Sequence, residues 1–318
     1  MRRWAPHPLN LRQLQYALAV AELRSFRKAA EACAVAQPSL SQQIAQLEST
    51  LGVRLFERLP RGVLVTEAGA AVLERAQQAL LHVDDLVQSA ERLREPFAGT
   101  LRVGVIPTVA PYLLPEIAPQ LRSAYPRLSL LWEEDKTHVL LDKLGTGELD
   151  AGILALGTEG FEELEHVVVG RDAFYLVAPR DHELARHAKK PLRLDALDGE
   201  SVLLLDDGHC FRDQALSVCQ RVGAAEASVR ATSISTLAQM VAGGIGITLL
   251  PGIALRTENR ARSLAVRSFG ARGPARTLVL AWRKTSPGSA TWRKIGATVS
   301  DSYRLSKSCN PSIGDYLD

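Results

Sequence analysis

The stretch "DDGHCFRDQALSVC", residues 206–219, holds two of the chain's four cysteines, Cys210 and Cys219, nine residues apart. Its residue types suit thiol chemistry. Cys210 follows a polar turn and falls at the start of a predicted helix, where unpaired backbone N–H groups and the helix dipole favour a thiolate. His209 and Arg212 flank it and act in the same sense, whereas Asp206, Asp207 and Asp213 oppose them. Cys219, at the apolar end of "ALSVC", reads as a buried and inert thiol. On a regular helix, residues nine apart are separated by roughly 13 Å, while a disulfide needs Cα atoms about 4.4–6.8 Å apart. The two thiols are therefore either independent or bonded only after the helix comes apart. His209 with the two cysteines offers metal-ligand types, but no C-x-x-C or H-x-x-x-H spacing completes a site, and no metal or cofactor is expected.

The rest of the chain must position this segment. Its 318 residues leave room for two domains, and its 46% hydrophobic and 23% charged content is that of a globular protein. Four cysteines are too few for a disulfide scaffold and should rest reduced. No apolar run approaches the ~18 residues needed to span a bilayer. The start, "MRRWAPHPLNLRQLQYALAV", lacks the continuous apolar core of an export signal. No membrane association and a cytoplasmic location are expected. Net charge is only +3, but residues 1–61 carry nine Arg and Lys against four Glu. That excess reads as a solvated surface or as a face that neutralises nucleic-acid phosphates.

The same segment has the pattern for the second reading. Leu11, Leu14, Ala17, Leu18 and Ala21 recur at helical spacing. Ser25 caps a second helix through "FRKAAEAC", and Pro38 and Ser39 open a third, "PSLSQQIAQLESTLG", with Leu40, Ile44 and Leu47 inward. Ser39, Ser41, Gln42, Gln43 and Gln46 are left outward, rich in groups able to read base edges. "LPRG", with Arg58 and Arg61, joins Leu55–Phe56 to the strand "VLVT" as a basic wing beside that helix. Thr66 then caps a long helix whose Val72, Ala76, Ala79, Leu80, Val83, Leu86 and Val87 form a stripe too long for this small domain to cover. That predicts a partner helix from a second subunit.

"EPFAGT", residues 95–100, breaks the long helix. Beyond it "LRVGVIPT", "RLSLLWEE", "AGILAL", "FYLVAP", "VLLLD", "VRAT", "IGITLLP" and "ARTLVLAWR" read as strands. They alternate with helices including "YLLPEIAPQLRSAY", "THVLLDKLGTGELD", residues 210–222 and "SISTLAQMVAGG", and a closing helix begins near Ser289. The alternation predicts two α/β lobes joined by crossover strands, with a cleft at the strand ends. "GGIGIT" follows a helix and precedes a strand, the reverse of a dinucleotide loop, so its glycines are read as a helix stop.

The run "SFRKAAEACAVAQPSLSQQIAQLESTLGVRLFER…VLVTEAG" resembles the N-terminal winged helix-turn-helix of the LysR-type transcriptional regulators. "VGVIPTVAPYLLP", "THVLLDKL" and "GHCFRDQALSVC" with "RATSISTLAQMVAGGIGITLLP" are similar to the peroxide-sensing branch of that family. The resemblance covers the chain from about Leu9 to the region of Ser289. It implies an α + α/β chain: a winged helix-turn-helix at 9–66, a long linker and dimerisation helix with hinge at 67–98, and a two-lobed regulatory domain of periplasmic-binding-protein type at 99–303. Lobe I is expected at about 99–169 plus 270–303, lobe II at about 170–269, and a tail at 304–318. Gln37, Pro38, Ser39, Ser41, Gln42, Arg58 and Arg61 would meet double-stranded promoter DNA.

The resemblance further implies that hydrogen peroxide oxidises Cys210 to a sulfenic acid, which condenses with Cys219. Thr108, Thr137, His209, Asp213 and Arg276 would surround the peroxide, a set able to stabilise developing negative charge on its leaving oxygen. A homo-oligomer, a dimer of dimers, and contact with RNA polymerase are implied as well. The protein would not be an enzyme. Met1–Pro8 and the tail "SKSCNPSIGDYLD" with Cys309 depart from the family pattern. Two alternatives stay open: a regulator answering a small metabolite in the interlobe cleft, and a thiol peroxidase, which would have no need of a winged helix-turn-helix.

Overall fold

The computed structural model describes residues 7–59, 62–95, 97–157, 160–186 and 190–306. Two compact units divide the chain at Glu91 and Arg92.

In the first unit, α1 (Leu11–Leu23) starts from a reciprocal cap in which Asn10 Oδ1 accepts from the Gln13 amide and Gln13 Oε1 accepts from the Asn10 amide. Ser25 caps α2 (Phe26–Ala32), and α3 (Gln37–Leu51) ends at Gly52, whose φ of +71° is the left-handed stop. The fully buried Ala29 and Ala30 let α2 lie close to Ala17, Val20, Leu40, Ile44 and Leu47. The strands β1 (Phe56–Leu59) and β2 (Gly62–Val65) pair antiparallel as the wing. Glu48 Oε1, near the end of α3, accepts from the amides of Leu55 (2.7 Å) and Phe56 (3.2 Å) and so fixes where the wing begins. Thr66 Oγ1 caps α4 (Glu67–Arg94), accepting from Gly69 N. On α4, Leu86 and Val87 are 71% and 53% exposed.

The second unit is built on β3 (Gly99–Val105), β4 (Leu128–Glu134), β5 (Ala151–Ala155), β6 (Leu164–Pro179), β7 (Ser201–Leu205), β8 (Ala225–Ala231), β9 (Ile247–Pro251), β10 (Leu264–Ser268) and β11 (Ala275–Arg283). The path is β4-β3-β5-β11-β6-β9-β7-β8, with β10 paired to β6. One strand serves both lobes: β6 pairs with β11 up to Ala173 and with β9 from Phe174. The polypeptide returns between the lobes through the segment from β10 to β11. β5 and β9 are buried along their whole length, as strands covered on both faces must be.

The covering helices are α5 (Ala110–Ala124), α6 (Thr137–Thr146), α7 (Cys210–Arg221), α8 (Ile234–Ala242), α9 (Gly252–Glu258) and α10 (Ser289–Leu305). α8 stops at Gly243, so the glycines of "GGIGIT" end a helix. α9 and β10 escape the sequence reading. Seven residues and five residues are too short to display a period, and β10 carries the buried Arg267 within it. β6 is far longer than "FYLVAP", because its first half, Leu164–Arg171, is mostly half-buried or exposed, with only Leu164 and Val169 buried, rather than an apolar run. A second tie crosses the lobes where Tyr112 of α5 and Ser235 of α8 both donate to Glu258 Oε1, at 2.7 and 2.8 Å.

Candidate functional site

α7 is one continuous helix with Cys210 as its first residue and Cys219 as its tenth. At 3.6 residues per turn and 1.5 Å rise, the pair stands about 13 Å apart along the axis and on opposite sides of it. Both are free thiols; Cys210 is 4% exposed and Cys219 is fully buried. Burial pushes the Cys219 thiol up to about 11, so it rests as a neutral S–H. Phe211, Ala215 and Val218 are buried with them. Unwinding this helix therefore exposes apolar surface, at about 1.5–3 kcal/mol for an aromatic of phenylalanine size.

The start of α7 is set by its neighbours. Gly208 holds φ +88°, and a Cβ there would press on the Lys136 side chain. Lys136 Nζ donates to the Asp207 carbonyl at 2.7 Å, which brings the N-terminus of α6, with Thr137, beside the segment leading into Cys210. His209 stands at the N-cap without capping through its side chain. Burial first, and the Lys136 charge second, hold its imidazole below the ordinary histidine range, which favours the neutral ring at pH 7. His209 Nδ1 and Thr137 Oγ1 are buried polar atoms without a hydrogen-bond partner among the described residues.

Arg276 supplies the fixed charge. Its Nε donates to Asp172 Oδ2 (2.9 Å), Nη1 to Thr108 Oγ1 (2.6 Å) and Nη2 to the Thr108 carbonyl (3.0 Å). Its guanidinium carbon lies 5.2 Å from the centre of the Phe211 ring, next in sequence to Cys210. Thr108 and Arg276 are thus bonded directly, while the Lys136 tie sets Thr137, at the start of α6, beside the turn that ends at His209. Asp213 lies on the solvent side of Cys210. Its side chain is 72% exposed, and it shares with Cys210, Gln214, Phe174, Arg221 and Arg272 the wall of an open cavity of about 520 Å³.

Arg212 does not turn towards Cys210. Its Nη2 donates to both Glu226 oxygens at 3.0 and 3.1 Å, with Asp207 3.3 Å from Nε, and Arg230 bridges Glu226 and Asp207 from outside. Glu226 and Asp172 escape the sequence reading. Both are single carboxylates whose partners lie far along the chain or on another element, and no local spacing marks them. No cluster of metal-ligating side chains occurs among the described residues.

In the first unit Gln37, Pro38, Ser39 and Gln42 are exposed on the first turns of α3, and Ser41 is half-buried. Arg58 on β1 lies over the Phe26 ring at 4.3 Å, which fixes its stem beside α2. Arg61 lies outside the described residues.

A winged helix-turn-helix joined to a two-lobed α/β domain defines a DNA-binding transcription regulator with a signal-responsive half. The chain belongs to the LysR family: residues 11–70 match the bacterial regulatory helix-turn-helix protein, lysR family, and residues 94–302 match the LysR substrate binding domain. It is 41% identical over 298 residues to the hydrogen peroxide-inducible genes activator of Dickeya chrysanthemi, covering 93% of this chain and 97% of that one. Among solved structures it resembles a full-length cysteine-to-aspartate variant of OxyR from Pseudomonas aeruginosa, at 35% identity and TM-score 0.74, covering 96% and 98% of the two chains. It also resembles a cysteine-to-serine variant of Corynebacterium glutamicum OxyR with hydrogen peroxide bound, at 32% identity and TM-score 0.65, covering 96% and 95%. Among the described residues no helix is long and apolar enough to cross a membrane.

Proposed function

We propose that this protein is a transcription regulator that senses hydrogen peroxide through Cys210 and stores the signal as a Cys210–Cys219 disulfide. The Cys210 thiolate attacks one peroxide oxygen and the O–O bond breaks. The departing hydroxide takes a proton to become water, and Cys210 is left as the sulfenic acid. Thr108, Thr137, His209 and Arg276 are the donors that stabilise the leaving oxygen, and Asp213 borders Cys210 on the solvent side. The Cys219 thiol then displaces water from the sulfenic acid, closing the disulfide. A thiol reductant supplies the two electrons that reverse it.

The observation that carries the reading is the unbroken helix between the two sulfurs. Bond formation must unravel residues 210–219, and a covalent lock on that rearrangement makes a two-state switch. Support for a homo-oligomer comes from the exposed Leu86 and Val87 of α4. In such an assembly, a dimer of dimers on promoter DNA, the repacked segment alters the spacing of the wings and so contact with RNA polymerase. Peroxide treatment followed by digestion and bond mapping tests the chemistry. A Cys210–Cys219 linkage that thiol reductant reverses is expected, and identical peroxide responses from Cys210→Ser and the unaltered protein would refute it.

A further inference from the structure

We propose that Asp172 is a positioning residue for the oxidation of Cys210, acting through Arg276 to aim the Thr108 hydroxyl; this rests on the reading of Cys210 as the peroxide-reactive thiol. Asp172 sits on β6 at the crossover between the lobes and is 1% exposed, and the Arg276 side chain is fully buried. Both carboxylate oxygens are engaged, Oδ2 by Arg276 Nε at 2.9 Å and Oδ1 by the Ile253 amide at 3.1 Å. The carboxylate thereby joins the start of α9 in lobe II to an arginine whose other end grips Thr108 in lobe I.

Hydrogen-bond polarity gives this chain a direction. A guanidinium only donates, and a threonine hydroxyl has one proton to give. Because Arg276 Nη1 donates to Thr108 Oγ1 at 2.6 Å, the hydroxyl proton of Thr108 cannot return to Arg276 and must point elsewhere. The second bond, Nη2 to the Thr108 carbonyl at 3.0 Å, fixes the plane in which this happens. A peroxide oxygen gathering negative charge as the O–O bond breaks is an acceptor such a hydroxyl serves. An amide at position 172 has a single acceptor oxygen, so the donors that share the carboxylate, Arg276 Nε on one side and the Ile253 and Gly252 amides of α9 on the other, could not all be served, and one side would face an NH₂ group. The guanidinium would then lose the anchor that holds its other end on Thr108.

The test compares two reactions of Cys210 in the full-length protein carrying Cys219→Ser, each followed by mass spectrometry of the Cys210 peptide. Hydrogen peroxide needs a stabilised leaving oxygen, and iodoacetamide reports the thiolate without that need. Asp172→Asn should lower the peroxide rate constant about tenfold or more while the iodoacetamide rate stays within about twofold, since one aimed donor is typically worth at least that much. Asp172→Glu retains the buried charge and guards against loss of folding, yet displaces Arg276, so it should show the same selective loss. Equal falls in both reactions would assign Asp172 a purely structural role and overturn the proposal, as would unchanged peroxide rates in both variants. If Cys210 of the parent reacts with peroxide no faster than a free cysteine, the reading of Cys210 fails and the proposal with it.

Discussion

Lys136 Nζ donates to the carbonyl oxygen of Asp207 at 2.7 Å, joining the N-terminus of α6 in lobe I to the turn that leads into Cys210 in lobe II. The same ammonium charge adds to burial in holding His209 low. A group depressed in the folded state contributes stability that is present above its ordinary value and lost as pH falls through the folded one. Stability should therefore decline as pH drops below about 6.5, and Lys136→Gln should move His209 part of the way back, because the burial component remains. NMR titration of the His209 ring, with thermal melts at pH 5 and pH 7, checks both; an unmoved ring would refute the electrostatic role of Lys136.

Disulfide closure should slow when α7 is made a better helix. Ser217 is exposed on α7, and alanine there gains up to about 0.5 kcal/mol of helix propensity. Ser217→Ala should lengthen the life of the Cys210 sulfenic acid about twofold, as trapped by dimedone, and leave the first reaction with peroxide unchanged. Faster closure in this variant would mean that the helix does not unwind before the bond forms.

The Cys219 thiol, pushed up by burial to about 11, keeps a proton that the unfolded chain releases near pH 9. Its contribution to stability is complete below about pH 9 and disappears as pH rises to about 11. Denaturant melts of the reduced protein should lose stability across that window, and Cys219→Ala should lose less over the same interval.

Glu226 holds Arg212, whose side chain is 8% exposed, and Arg212 lies in the first turn of α7. Glu226→Gln should cost about 1.5–3 kcal/mol in melts, the range for hydrogen bonds to a charged group. It should also speed closure of the disulfide. Stability equal to that of the unaltered protein would show that the network does not secure α7.

Within the DNA-binding unit, two substitutions should separate recognition from attraction. Gln42→Ala, on the exposed front of α3, should relax preference at one base pair by about 1–3 kcal/mol. Arg58→Ala should weaken binding to all sequences and reduce the slope of log affinity against log salt by about one. Titrations with operator and scrambled duplexes at several salt concentrations distinguish them.

The sequence by itself determined the local features of this protein. Helical periodicity placed α1, α3 and α4, and a cap placed α2. Ser25, Thr66 and Gly52 marked helix ends, and the nine-residue spacing set the separation of Cys210 and Cys219, because caps, periods and helical rise depend only on residues a few positions apart. Only the tertiary structure decided which side chains are joined to one another beside α7. Asp172, Arg276 and Thr108 meet across 104 and 168 positions of chain, and Arg212, adjacent to the cysteine in sequence, is drawn away by Glu226. Asp213, two positions further along the motif than Phe211, faces solvent instead of Arg276. Such partnerships are set by how β6 and β11 cross between the lobes, and long-range strand pairing leaves no trace in the spacing of neighbouring residues.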